Sequence, residues 1–211
     1  MEIWDLYDEN KNKVGKELER GPVPDGYFHL VVHIWIKNSK NEYLIAKRAA
    51  NRSVYPLKDE CVGGSVLAGE TSLQGAIREV YEEVGLNFNS ADFKLVQSDV
   101  RREVNGKKFN DIVDIWLVEF NGKVDLSKAT TDEVDSVKWC SIDEIKDLFN
   151  SGELVPTMDY IFELHEKLQK NKENDKKNKK NSQKKRLASE KDKYFAYYDD
   201  IKDGSHKVID W

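Results

Sequence analysis

The stretch Gly64-Ser-Val-Leu-Ala-Gly-Glu70-Thr-Ser-Leu-Gln-Gly-Ala-Ile-Arg78-Glu79-Val-Tyr-Glu82-Glu83-Val-Gly85-Leu86 decides how this chain folds. Thr71, followed three residues later by Gln74, has the spacing of a capping box and predicts a helix starting near Ser72. Gly85 stands where such a helix ends, because glycine enters a left-handed C-cap without steric cost. At about 100° per residue, Leu73, Ile77, Val80 and Val84 share one helix face, and Glu79, Glu82 and Glu83 gather on the opposite one. Carboxylates this close repel one another and cost helix stability. Taken alone, the acidic face is either solvated or a seat for a hard divalent cation, since Mg²⁺ and Mn²⁺ prefer oxygen ligands.

The wider spacing is more specific. Gly64, Glu70, Arg78, Glu79, Glu82, Glu83 and Gly85 match Gly-x5-Glu-x7-Arg-Glu-U-x-Glu-Glu-x-Gly-U, with Val80 and Leu86 at the two bulky apolar positions U. This is the Nudix box with no member missing, and the chain therefore resembles the Nudix hydrolases. The resemblance implies a loop-helix-loop that binds Mg²⁺ or Mn²⁺ beside a substrate diphosphate. It implies Glu79, Glu82 and Glu83 as metal ligands, completed by a backbone carbonyl of the Gly63–Gly64 pair, Gly64 foremost. Arg78 is then the residue that orients the glutamates, and Glu70 supports the loop behind them. The family takes its general base from a box glutamate or from a glutamate on a distant loop. Here Glu133, in Thr-Thr-Asp-Glu-Val, is the candidate for the latter, with Asp132 and Asp135 as competitors. The chemistry is consistent: an anionic diphosphate resists attack by water until its charge is neutralised and a water is acidified.

Residues outside the box narrow the resemblance. His29-Leu-Val-Val-His33-Ile-Trp-Ile, a polar turn, and Glu42-Tyr-Leu-Ile-Ala-Lys47-Arg48 look like the Nudix branch related to type 1 isopentenyl-diphosphate isomerase, over roughly residues 1–165. That kinship brings a rival reaction. His29 sits where the isomerase has a metal-binding histidine, and Asp114 lies near an acidic position it uses. Two departures weigh against isomerisation. Val62-Gly63-Gly64-Ser65 replaces the isomerase's cysteine beside a histidine, and the box keeps every hydrolytic carboxylate. Cys61 reads as a core cysteine on a strand. Many relatives also carry Pro-x-x-Trp ahead of the glycine pair, where this chain has Tyr55-Pro56-Leu57-Lys58-Asp59-Glu60 and no tryptophan. Lys47 and Arg48 close a strand near the same region and are candidates, with His29, for contact with the substrate. A third possibility is a catalytically idle domain that only binds ligand, against which the three clustered carboxylates speak.

The 211 residues suit one catalytic domain with an appendage. No run of about eighteen apolar residues and no signal pattern occur, and two widely spaced cysteines form neither a disulfide framework nor a zinc motif. A soluble cytoplasmic protein without a membrane partner is expected. Alternation over residues 2–8 predicts an opening strand, Asn105-Gly106 a hairpin between 93–104 and 107–120, and Val134–Cys140 a further strand. Ser141 and Glu144 form a second capping box, and Met158–Leu168 keep helical spacing. The expected fold is α+β, a Nudix-type α/β/α sandwich around a mixed sheet, over residues 1–168. Residues 170–186 hold nine Lys/Arg against Glu173 and Asp175, a local charge of +7 beside −12 for the rest. With no apolar residue over Lys170–Lys185, residues 169–186 read as a basic linker or frayed helix extension. Lacking interleaved aromatics, the run points away from nucleic acid. The aromatic end, residues 187–211, is expected to pack on the domain, on a second copy in a homodimer, or near the small-molecule diphosphate.

Overall fold

The computed structural model describes residues 2–104 and 106–202; the expectation for the end 203–211 lies outside the described residues, as do the side chains of residues 191–202. Two compact units are present, Met1–Tyr160 and Ile161–Trp211.

In the first unit, strands β1 (Ile3–Tyr7) and β2 (Lys13–Glu19) form an antiparallel pair of their own. The main sheet contains β3 (His29–Lys37), β4 (Tyr43–Arg48), β5 (Asp59–Glu60), β6 (Val62–Ser65), β7 (Lys94–Val104), β8 (Lys107–Glu119) and β9 (Val134–Cys140). It is mixed: β3 runs parallel to β8 and antiparallel to β6, while β7 and β8 form the expected hairpin. Helix α1 (Ser72–Val84) is the box helix and α2 (Ile142–Asn150) follows β9. Both capping boxes form, Thr71 with Gln74 and Ser141 with Glu144, and Gly85 ends α1 at φ 66°.

Strand β3 separates two environments, because successive side chains point to opposite faces. Leu30, Val32, Ile34 and Ile36 join Ala76, Val80 and Val84 of α1 in one core. A fully buried Val or Ile stabilises by about 1.5–3 kcal/mol, so this face clamps α1 onto the sheet. His29, Val31 and His33 point the other way and line a pocket. The β1–β2 pair was not foreseen beyond its first strand, since β2 is mostly exposed and carries no apolar alternation.

Helix α3 (Ile161–Lys202) makes the second unit and runs through residues 169–186, where a linker or frayed extension was expected. Lys, Glu, Gln and Arg are good helix formers that need no burial. Pairs such as Glu166–Lys170 (3.7 Å) and Arg186–Glu190 (3.0 Å) add i,i+4 support. Among the described residues no helix is long and apolar enough to cross a membrane.

Candidate active site

The glycine pair sets the floor of the cleft. Gly63 and Gly64 pair with His33 and Val32 of β3. A Cβ on Gly63 would lie 2.2 Å from the Val32 carbonyl oxygen, and one on Gly64 would lie 2.5 Å from Glu79 Oε1. Only glycine lets β6 approach β3 here while a box carboxylate lies against the backbone. The Gly63 N–H donates to Glu83 Oε2 at 3.1 Å. Arg78 ties the surroundings together. Its Nε and Nη2 donate to the two oxygens of Glu70 (2.9 and 3.0 Å), and Nη2 also reaches the Ser65 carbonyl at 2.9 Å. Its Nη1 donates to Glu79 (2.8 Å) and Glu82 (3.0 Å). Glu70 accepts in turn from the Leu67 N–H, which holds the loop ahead of the helix.

The acidic residues are less solvated than a helix wheel suggests, for Glu79 and Glu83 are both buried. Burial pushes Glu79 up to about 7, against the pull of Arg78. Burial, and then the charges of Glu79 and Glu60, push Glu83 well above the usual carboxylate range. Two buried carboxylates beside an unsubstituted backbone form an oxygen-only donor set, whose charge burial and mutual repulsion penalise. That chemistry fits a hard divalent cation. Among the described residues no three His, Cys, Asp or Glu side chains are gathered tightly round one point; Arg78 engages Glu79 and Glu82 instead.

The opposite wall comes from the loop before β9. The Thr130 and Thr131 N–H groups donate to the Glu82 carbonyl (3.0 and 3.2 Å), one of the carbonyls left free at the end of α1. Gly85 lets this loop in, since a Cβ there would stand 2.7 Å from the Lys128 backbone. The Ala49 N–H holds the Glu133 carbonyl at 2.8 Å, and Arg52 pairs with the Glu133 carboxylate at 2.5 Å. Glu133 thereby lines the same cleft of about 170 Å³ as Glu79, Glu82, Glu83, Gly64 and Arg78. Asp132 bonds Asn51 instead (3.3 Å), and neither it nor Asp135 lines the cleft.

Of the substrate-contact candidates, Arg48 lines the cleft, paired with Glu60. Lys47 does not line it, as expected for its neighbour on a strand, whose side chain takes the other face. His29 lies in the adjoining pocket, stacked on Trp4 with centroids 4.3 Å apart. Cys61 is buried with its thiol 3.7 Å from Met158 Sδ, and burial pushes that thiol well up, as suits a core cysteine. Glu2, Arg20, Arg52 and Thr131 also line the cleft. Nothing but a charge, or for Thr131 a hydroxyl, in a polar stretch marks them in the sequence.

Residues 27–164 match the model of the NUDIX domain. The chain belongs to the Nudix family. An uncharacterized Nudix hydrolase of Listeria innocua is 35% identical over 170 residues, covering 78% of this chain and 95% of that one. The isopentenyl-diphosphate Delta-isomerase of Shigella boydii is more distant, 24% identical over 57% of this chain and 66% of its own. Among solved structures, DR0079 of Deinococcus radiodurans superposes with a TM-score of 0.60 at 20% identity, over 74% of this chain and 93% of that one. The fold is thus the Nudix α+β fold. The enzyme is a Nudix hydrolase, a pyrophosphohydrolase of a family that generally uses divalent metals.

Proposed function

We propose that this Nudix hydrolase cleaves the diphosphate of a nucleoside diphosphate linked to another moiety, or of a related small organic diphosphate, with Mg²⁺ or Mn²⁺ as cofactor. One observation carries the reading: the buried carboxylates Glu79 and Glu83 lie against the Gly63–Gly64 backbone in a cleft that Glu133 also lines. A bound cation supplies charge neutralisation of the diphosphate and acidification of a water. Glu79, Glu82, Glu83 and the Gly64 carbonyl are the groups to hold it, and Arg78, braced by Glu70, sets the directions of Glu79 and Glu82. Glu133 is the proposed base. It takes the proton as the water oxygen bonds to phosphorus and the bridging P–O bond breaks, and Arg52 fixes its position. Arg48 offers a guanidinium to the phosphate oxygens from the rim.

The burial of Cys61 against Met158 speaks against a cysteine acid and hence against isomerisation. Incubation with a panel of diphosphates in Mg²⁺ and in Mn²⁺, followed by mass spectrometry, tests the reading. Two phosphorylated products that carry the mass of one added water are expected. Isopentenyl diphosphate converted to an isomer of unchanged mass, with every other compound intact, would overturn it.

A further inference from the structure

Strands β1 and β2 precede residues 27–164, the part of the chain that matches the NUDIX domain. They nevertheless reach the active site, since Glu2 and Arg20 line the cleft and pair with each other at 2.9 Å. They also grip the box loop between β6 and α1. From Val66 to Glu70 each backbone N–H in that loop has a partner. Val66 donates to the Leu30 carbonyl (2.9 Å), Leu67 to the Glu70 carboxylate (3.0 Å) and Glu70 to the Leu67 carbonyl (3.0 Å). The other two are taken by β1. The Ala68 N–H donates to the Ile3 carbonyl at 2.7 Å, and the Gly69 N–H to Asp5 Oδ2 at 2.8 Å.

These two bonds fall where the loop is softest. Gly69 has φ 86°, a conformation that glycine enters and leaves without steric cost. A Cβ there would meet nothing within 4 Å, so packing does not confine it. The next residue is Glu70, whose carboxylate receives Arg78 Nε and Nη2, while Arg78 Nη1 serves Glu79 and Glu82. The anchor itself is firm. Leu6 and Tyr7 are buried, and Tyr7 exchanges both backbone hydrogen bonds with Phe28 (2.8 and 3.0 Å). Lys13 of β2 donates to the same Asp5 oxygen at 2.6 Å and reaches the Glu70 carbonyl at 3.5 Å.

We propose that β1 braces the Nudix box from outside, with Asp5 as a positioning residue for the carboxylates of the metal seat. The Asp5 carboxylate pins the Gly69 N–H, that pin fixes Glu70, and Glu70 fixes the guanidinium that directs Glu79 and Glu82. The helix sets how far apart the carboxylates stand. Where their oxygens point depends, through this relay, on a strand far upstream. The assignment rests on the reading of Glu79, Glu82 and Glu83 as metal ligands.

The test compares the full chain with Asp5→Ala and Asp5→Asn. Asparagine keeps an oxygen that can accept from Gly69, and alanine keeps none. In the metal-free proteins, hydrogen exchange of the Arg78 Nε–H is followed by NMR. It should be about fivefold faster in Asp5→Ala and near the wild-type rate in Asp5→Asn. Mn²⁺ alone is then titrated, and the free ion is counted by electron paramagnetic resonance. Affinity should fall about tenfold in Asp5→Ala and be largely restored in Asp5→Asn. A strand that only holds the fold would lower the melting temperature of Asp5→Ala and leave both readouts at wild-type values, which would overturn the proposal. So would an Asp5→Asn as impaired as Asp5→Ala. If Asp5→Ala fails to fold, Lys13→Gln takes its place, since the half-exposed Lys13 holds the Asp5 carboxylate. A loss of about twofold or more in Mn²⁺ affinity is then expected, and wild-type affinity would overturn the brace. A wild-type chain that binds no Mn²⁺ would take away the metal reading, and the exchange rates, measured without metal, would then decide the relay by themselves.

Discussion

The acidic cleft and the adjoining pocket share one rim, yet they are assembled in opposite ways. The cleft draws most of its chemistry from a single segment, Gly63 to Glu83, in which a strand, a loop and a helix fix the spacing of Glu79, Glu82 and Glu83. The pocket draws on β1, β3, β7 and β8 and on the loops around Tyr55 and Val155. A reaction that needs charges at set distances is served by helical geometry, which depends on local sequence alone. Recognition of a variable organic group needs walls from many directions, and those come only with tertiary folding. The difference predicts that damage to the first region stops turnover, and damage to the second changes what is turned over.

The largest effect should follow Glu79→Gln or Glu83→Gln, which keep shape and remove a charge. Each should lower kcat on the best substrate by about 10²-fold or more, and Glu82→Gln by less. Near-wild-type turnover in both Glu79→Gln and Glu83→Gln would erase the contrast between the regions. A second effect lies in the metal-free protein. The folded-state pKa of Glu79, about 7, exceeds its value of 4.5 when exposed, so the native state holds more protons between these limits. Stability in a chelator should therefore fall as pH rises from about 4.5 through 7, by on the order of 2–3 kcal/mol. Denaturant titrations at several pH values check this, and Glu79→Gln should make the profile shallower without abolishing it, because burial raises Glu83 as well.

A smaller loss, about 2 kcal/mol in urea denaturation, is expected for Gly85→Ala. The φ of 66° and the Lys128 backbone at 2.7 Å both oppose a Cβ there. Because that loop leads to Glu133, kcat should drop as well; an unchanged kcat would detach Glu133 from the chemistry. The finest probe is a neighbouring pair on β4. Arg48→Ala should raise KM about tenfold and Lys47→Ala hardly at all, since Arg48 alone of the two lines the cleft.

The box helix, both capping boxes, the β7–β8 hairpin and β9 were legible because each depends on neighbours within a few residues. Glu133 was legible only as one acid among three. What singles it out is the anchoring of its loop by Glu82, Gly85 and Ala49, which are far away in sequence. Arg52, Arg20 and Trp4 gave no signal, since an arginine in a polar loop or an aromatic on an opening strand has many uses. The burial of Glu79 and Glu83 was also hidden, because helical periodicity places them on the charged side and says nothing of the strand that covers it. For 169–186 the sequence left a linker and a frayed helix extension open, because nothing there can be buried; the helix that runs through it holds by its own hydrogen bonds and by pairs such as Arg186–Glu190.

The two-sidedness of β3 has a consequence for how such an enzyme diverges. Leu30, Val32, Ile34 and Ile36 hold α1 and its carboxylates, and His29, Val31 and His33, interleaved with them, face the pocket. Along this strand heritable change has two separate registers. On the proposed reading, substitutions at the odd-numbered positions from 29 to 33 would reshape the pocket beside the cleft, and those at the even-numbered positions would disturb the packing of the helix that carries the carboxylates. A lineage can thus explore substrates along one strand without first sacrificing its catalytic centre.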